Sequence, residues 1–429
     1  MPIAANEPSP STVYSALPVV AWTAVAWLWF AGGSNYLTRT TLTTMRSSIV
    51  QDIPMSDAQF GLLTSAFLWS YAIFGPFGGF LADRFSRRHV VIWSMVAWSS
   101  VTLITTQVRS FEIFLALRAL LGVSQAFYIP AAVALIIDYH LGPTRALAGG
   151  IHLTGMIFGS MIGGIGGWLA ERYSWSSAYA AIGLPNLALA ILLYLFLREP
   201  PRERAKSVAP ESPATAIRLS EALRSLARPG PFYYLIACQA VQGAVSWIII
   251  GWVPTLMREQ FKLGQGAAGF SSLGFLYGSQ TIGLLIGGFW SDRWSLTNPR
   301  ARIIIPAVAV LLTAPAFLLT DWFPYLFLSL LSLSMWGLAM GFFGANTMPI
   351  ACLVVDARYR ATALGLLNAC TAISGGFALY GVGALRDAKI NIDLILTLTG
   401  LGVFLCGYFL WLVNVSLRKA ERNVAASTA

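Results

Sequence analysis

Twelve apolar runs, each close to the roughly 20 residues that cross a bilayer as a helix, divide this chain into spans and short polar joints. They are expected at 17–45, 57–81, 89–107, 112–138, 146–170, 178–197, 231–257, 267–291, 303–320, 325–353, 361–384 and 392–417. No other feature constrains the fold as strongly, because lipid offers no hydrogen bonds to a backbone and only helices or closed barrels are self-sufficient there. Of the 429 residues, 56% are hydrophobic and 11% charged, too few charges to cover a water-facing surface. The expected fold is therefore all-α and integral to the membrane. The opening residues, "MPIAANEPSPSTVYSA", lack the basic n-region and short apolar h-region of a cleaved signal, so span 1 is expected to stay in the mature protein. Cys238, Cys352, Cys370 and Cys406 all fall within spans without metal-ligand spacing and are expected to be small buried hydrophobes.

Spans 6 and 7 are separated by "REPPRERAKSVAPESPATAIRLSEALRSLARPG", which is polar, basic and Pro-rich, the composition of a linker. Within it, "SEALRSLA" could form a short surface helix. The expected organisation is a six-helix bundle over 1–197, a cytoplasmic linker over 198–230 and a second six-helix bundle over 231–429. With both termini cytoplasmic, 19 of the 28 Lys and Arg lie on the inner side and 7 on the outer. That asymmetry supports the orientation in a cell inner membrane. It also accounts for the net charge of +10 without nucleic acid.

The halves repeat. "GGFLADR" at 78–84 recurs as "GGFWSDR" at 287–293, Asp83 and Asp292 being 209 positions apart; "TRALAGG" at 144–150 is echoed by "YRATALG" at 359–365, with Arg145 and Arg360 offset by 215. Duplicated halves suit a transporter that rocks about a site near the bilayer midplane.

Arg39 in "AGGSNYLTRTTLTTM" lies inside span 1 with no Asp or Glu beside it. A charge at a helix centre costs about 2.5–3.5 kcal/mol on insertion scales and persists where it faces a water-filled cavity. Helical spacing puts Asn35, Arg39 and Thr43 on one stripe with Tyr36 beside them. A planar guanidinium holds a carboxylate by two charge-assisted bonds, so the missing partner is expected to be the substrate. The other reading is an arginine that reaches the outer interface or bonds backbone carbonyls. All 18 Asp and Glu fall in loops, the linker, tails or span ends, which disfavours a cationic substrate. No Ser/His/Asp arrangement, phosphate loop or metal cluster occurs, so neither an enzyme nor a cofactor is expected.

"GGFLADRFSRR", with "RALLGVSQA" at 118–126, resembles the major facilitator superfamily, a fold of 12 transmembrane helices in two pseudo-symmetric halves. "NYLTRTTL", "MSDAQFGLLTSAFLWSYAIFGPFGGFLADR" and "WVPTLM" look most like its anion:cation symporter family of organic-anion carriers, and part of the span 1 pattern is shared with Spinster-like carriers. The resemblance implies that Arg39 binds the substrate carboxylate with Tyr36 and Tyr71, and that Gln239 is a contact from span 7. It implies a cytoplasmic charge latch of Asp83, Arg84 and Arg88, with Gly79 allowing close helix approach, and repeated as Asp292 and Arg293. Proton-coupled relatives carry an Asp just before the span 1 Arg and a Glu in span 4; here those positions are Thr38 and Gln125.

Gln125, Gln242, Asn346, Asn368 and Ser374 are further polar groups at membrane depth, each a substrate contact or a helix-packing hydrogen bond. Arg118 could gate the outer mouth or latch span 4 to its neighbours. His152 is either a proton carrier or a packing residue. The expected function is alternating-access transport of a small organic anion such as a sugar acid or aromatic acid, by a monomer without carboxylate-based proton coupling. A Spinster-like carrier of lysolipid and a non-transporting membrane sensor are the alternatives.

Overall fold

The computed structural model describes residues 17–140, 144–200, 221, 225–226, 230–322, 325–390 and 392–428. The N-terminal helices are α1 (Leu17–Thr44), α2 (Arg46–Asp52), α3 (Asp57–Arg84), α4 (Arg87–Thr105), α5 (Phe111–Ala126), α6 (Tyr128–Tyr139), α7 (Arg145–Met161), α8 (Gly164–Arg172) and α9 (Trp175–Phe196). After the linker come α10 (Pro231–Phe261), α11 (Gln265–Ser295), α12 (Ala301–Trp322), α13 (Leu326–Val354), α14 (Arg360–Asp387) and α15 (Ile392–Thr428). The "SEALRSLA" segment lies almost wholly outside the described residues.

With α5 and α6 forming one interrupted span, and α7 and α8 another, the described residues give the 12 spans of the expected all-α fold. Eight of them are apolar enough along their length to cross a membrane by composition alone. The described part of α12, Ala301–Phe317, is a shorter apolar helix, and α1 carries Arg39 in its polar tail. A helix facing a polar cavity need not be apolar all round.

Local sequence sets the ends and the breaks. Ser56, Ser86, Ser110 and Ser174 each accept a backbone N–H of the first turn of α3, α4, α5 and α9, and Gln59 completes a capping box on Ser56. Span 4 breaks at Phe127 because Pro130 supplies no N–H to the Ala126 carbonyl one turn earlier. That carbonyl packs on Gly78, where a Cβ would lie 2.6 Å from it. Gly78 thus makes the close approach expected of Gly79, beside which a Cβ would meet nothing within 4 Å. Span 5 breaks around Gly163, where the Thr44 hydroxyl accepts the Gly167 N–H (3.0 Å) and lies 3.2 Å from the Gly163 carbonyl.

The core of the first half is built around Leu63, Phe67, Trp98, Phe114 and Trp175 and continues into Trp252, Leu379 and Val382 of the second half, whose own core is built around Leu235, Trp336, Phe343 and Val403. Large apolar side chains such as Phe77, Leu195 and Phe289 are exposed, as lipid-facing surface requires. Of the four cysteines, Cys238 and Cys406 are buried with their Sγ atoms 3.4 Å apart, while Cys352 and Cys370 are only half-buried; all are free thiols.

The halves are tied together at one end. Asp57 of α3 pairs with Arg46 and with Arg386 Nε (2.8 Å), whose Nη2 reaches both oxygens of Glu259 (2.9 and 3.0 Å). Asp387 accepts the backbone N–H groups of Asp57 and Ala58 (2.8 and 2.9 Å), so a carboxylate of the second half caps a helix of the first. Gln265 bonds Ser48 (2.7 Å), and Glu171 accepts the Gly266 N–H (3.3 Å). Small residues let the backbones meet: a Cβ on Gly61 would lie 2.5 Å from the Leu379 carbonyl. At the opposite end, the pairs Arg87–Asp138, Arg88 to the Tyr194 carbonyl and Asp292–Arg302 (2.8 Å) each stay within one half. The conformer is closed at the first end.

Gly61→Val should therefore disfavour this conformer by about 1–3 kcal/mol, the usual cost of overpacking. A Ser48→Cys/Gln265→Cys pair should cross-link readily in the parent chain and much less with Gly61→Val; unchanged cross-linking would show that the α3–α14 approach does not control closure.

Candidate functional site

The polar tail of α1, "TRTTLTT", survives in a membrane helix because its hydroxyls bond their own helix. Thr38, Thr40, Thr41, Thr43 and Thr44 each bond a carbonyl three or four residues back. Three of them also pack on glycines of the interrupted span 5: Thr40 on Gly163, Thr41 on Gly166 and Thr44 on Gly167. This seating turns Tyr36 and Arg39 toward the space between the halves.

Arg39 is 5% exposed. Its Nε donates to Gln125 Oε1 (2.9 Å), and Gln125 in turn donates to the Asn35 carbonyl (3.4 Å). The guanidinium carbon lies 4.4 Å from the Tyr36 ring centroid, 4.5 Å from that of Tyr71 and 5.3 Å from that of Phe67. Such cation–π contacts hold an arginine in place without cancelling its charge. Nη2 has no protein partner. With Nε committed to Gln125, the end of the fork is left for a ligand, and an amide in place of a carboxylate leaves the positive charge uncompensated. Thr38 is fully buried, donates to the Ser34 carbonyl (2.8 Å) and faces Asn186 Nδ2 (3.4 Å).

A cavity of about 390 Å³ lies against this group, lined by Tyr36, Arg39 and Thr40 from the first half. From the second half come Gln239, Gln242, Ser246 and Trp247 of α10, Tyr277 and Gln280 of α11, Trp336, Met340, Phe343 and Thr347 of α13, and Asn368 and Thr371 of α14. Gln242 bonds Ser246 Oγ (3.0 Å), whereas Gln239 Oε1 is buried without a partner. The wall opposite Arg39 is thus neutral: amides, hydroxyls and aromatic rings.

Of the residues singled out from the sequence, Tyr36, Arg39, Gln239, Gln242 and Asn368 line this cavity, and Tyr71, Gln125 and Asn35 stand behind Arg39. Asn346 lies elsewhere, fully buried and donating to Ser291 Oγ (2.9 Å) and the Phe342 carbonyl (2.8 Å). One residue further, a helical step of about 100°, Thr347 faces the cavity. Ser374 bonds the Cys370 carbonyl (2.7 Å) and packs on Gly243. Tyr277 and Gln280 were absent from the expected set, although their i, i+3 spacing in "GFLYGSQT" is the signal of one helix face.

His152 is 1% exposed and packs within the first half, against Gly32 and 5.9 Å from the Tyr128 ring, outside the cavity lining. Asp83 and Arg84 are exposed at the open end, and Arg88 is bonded to the Tyr194 carbonyl, so in this conformer the three do not pair with one another. The neighbouring Arg87 carries the ion pair there, with Asp138. Arg293 lies on an exposed face of α11 near Trp290 and Trp294. Arg118 is 2% exposed, its Nε donating to the Leu63 carbonyl (3.3 Å). Among the described residues no cluster of metal-ligating side chains occurs.

The profile of the Major Facilitator Superfamily matches residues 28–379. Protein spinster homolog 1 of Homo sapiens is 30% identical over 315 residues, which cover 69% of this chain and 59% of that protein, so the chain spans under two thirds of that relative's length. The hexuronate transporter of Bacillus subtilis (strain 168) is 27% identical over 304 residues, 69% of each chain. A crystal structure of a bacterial homolog to the human lysosomal transporter Spinster, inward-facing and unoccupied, aligns with a TM-score of 0.78 at 20% identity over 93% of this chain and 98% of that one. A D-xylose-proton symporter aligns with a TM-score of 0.71 at 14% identity, over 91% and 97%. These structural likenesses speak for the fold. Together with the 12 spans, the duplicated loop motif and the cavity between the halves, the match over residues 28–379 establishes that this chain belongs to the Major Facilitator Superfamily.

Proposed function

We propose that the protein moves a small hydroxylated organic monoanion, of the sugar-acid or aromatic-acid kind, across a cell inner membrane by alternating access. The observation that carries this is Arg39: nearly buried, fixed at Nε by Gln125, without a carboxylate partner, and facing a cavity whose far wall is neutral and hydrogen-bonding. A carboxylate meets the free end of the fork, and amides and hydroxyls of α10, α11 and α14 take the hydroxyl groups. The hexuronate transporter among the relatives supports this chemistry. The aromatic share of the lining, Trp247, Trp336 and Phe343, and the spinster relatives favour an amphiphile such as a lysolipid as the second reading. Short carboxylates and long-chain amphiphiles competing for the purified protein separate the two.

The Lys and Arg count supports an orientation with the closed end outside and both termini in the cytoplasm, in which this conformer is inward-open. The protein acts as a monomer of two six-helix bundles, 1–197 and 231–429, joined by the linker 198–230. Asp83, Arg84 and Arg88, with Asp292 and Arg293, latch the cytoplasmic end in the opposite conformer. With Thr38 and Gln125 at the positions where proton-coupled relatives titrate, the cycle is facilitated diffusion or anion exchange.

Arg39→Lys should weaken substrate binding at least about tenfold, because an ammonium cannot reproduce charge-assisted bonds worth about 1.5–3 kcal/mol; parent-like affinity by calorimetry would exclude the anchor role. Asp387→Asn should shift the population away from the inward-open state and Asp83→Asn toward it, as followed by cysteine labelling from the two sides; shifts of the same sign would contradict the two-ended latch. Uptake into proteoliposomes at fixed membrane potential, corrected for substrate ionisation, should proceed without an inward pH gradient. Strict gradient dependence abolished by His152→Gln would move coupling to His152, and dependence surviving that change would refute both readings.

A further inference from the structure

Arg118 is the second guanidinium inside the first half, and it is more isolated than Arg39. It is 2% exposed, and its Nη1 and Nη2 are buried with no hydrogen-bond partner. One backbone carbonyl, that of Leu63, meets its Nε, and its charged carbon lies 5.1 Å from the Phe67 ring centroid. A second orphan stands in the same buried region on α9: the Tyr179 hydroxyl, also 2% exposed and without a partner. The Phe114 ring, one turn before Arg118, meets the Tyr179 ring edge-on at 6.4 Å. Asp52, the acid that approaches this end of α9, is bonded to the Trp175 indole N–H (2.7 Å), one turn before Tyr179. No Asp or Glu stands within the core of a span, and Thr38 is neutral.

A buried charge without a counter-charge costs several kcal/mol. Two guanidinium nitrogens, which can only donate, and a phenol hydroxyl, which can donate, lie buried there without a partner. We propose that Arg118 and Tyr179 bind a small monovalent inorganic anion, of chloride size, inside the first half, separate from the Arg39 cavity. Three donors from two helices, with the apolar Phe67 and Phe114 rings beside them, suit a small spherical anion. The anion supplies the counter-charge that no side chain provides and ties α5 to α9. Because Arg39 lies 5.3 Å from the same Phe67 ring, the ion also lowers the positive potential felt at the substrate anchor.

The test uses the full chain in detergent without any organic acid, so it is independent of the substrate assigned above. Melting is followed by tryptophan fluorescence while sodium bromide or sodium chloride replaces sodium methanesulfonate at constant ionic strength. A saturable rise in melting temperature with either halide is expected, as mass action on a native-state ligand requires. Arg118→Gln should abolish the rise, and Tyr179→Phe should shift its midpoint to higher halide. Equal melting in halide and methanesulfonate, or a halide response that survives Arg118→Gln, overturns the proposal. Should Arg118→Gln not fold, anomalous diffraction from bromide-grown crystals decides: a bromide peak between Arg118 and Tyr179 supports the site, and ordered water there overturns it.

Discussion

An arginine inside a bilayer needs a counter-charge or a cavity, and Arg39 has the cavity. Everything around it follows from keeping that charge in place and available. Gln125 fixes Nε without neutralising it, Tyr36, Tyr71 and Phe67 surround the guanidinium, and the threonines of α1 bond their own helix so that it can carry so polar a face through the membrane. The interrupted span 5 belongs to the same arrangement: its glycines receive Thr40, Thr41 and Thr44, and Thr44 receives a backbone N–H freed by the break.

The second constraint is that two bundles must separate without either losing its core. Each half buries most of its own tryptophans and leucines, and the contacts between halves combine ion pairs, a capped helix start and glycine-to-backbone approaches with an apolar patch in which Trp252 and Leu379 join the core of the first half. Arg386 joins Asp57 to Glu259, and Asp387 caps α3, so consecutive residues of α14 serve one joint. Charge at this joint exchanges protein partners for water on opening, so its ionic part costs little to open, whereas Trp252 and Leu379 must leave the core of the first half.

Much of the site was legible before any coordinates. Tyr36 and Arg39 follow from helical periodicity around a charge that lipid would expel, Gln239 from the family resemblance, and Gln242 as a polar residue at membrane depth on the same span. Two of the differences share a geometric cause. A step of one residue rotates a side chain by about 100°, which separates Asn346, bonded to Ser291, from Thr347 in the cavity, and Gly79, open on one side, from Gly78 against the Ala126 carbonyl. The polar face that holds Tyr277 and Gln280 is hard to read from sequence because α11 is rich in small and aromatic residues.

The sequence by itself determined the solvent, the helical class, the duplicated halves and the unpaired charge, because each depends on composition and periodicity within a span. Which polar atoms face each other is a property of helices packed across distances of up to 330 positions along the chain, as with Asp57 and Asp387. Only the tertiary structure could decide that Gln125 holds Arg39, that Arg87 rather than Arg88 pairs with an acid, and that the ionic joint closes one end alone. Those choices rest on the rotation and rise of one helix against another, which no single helix encodes.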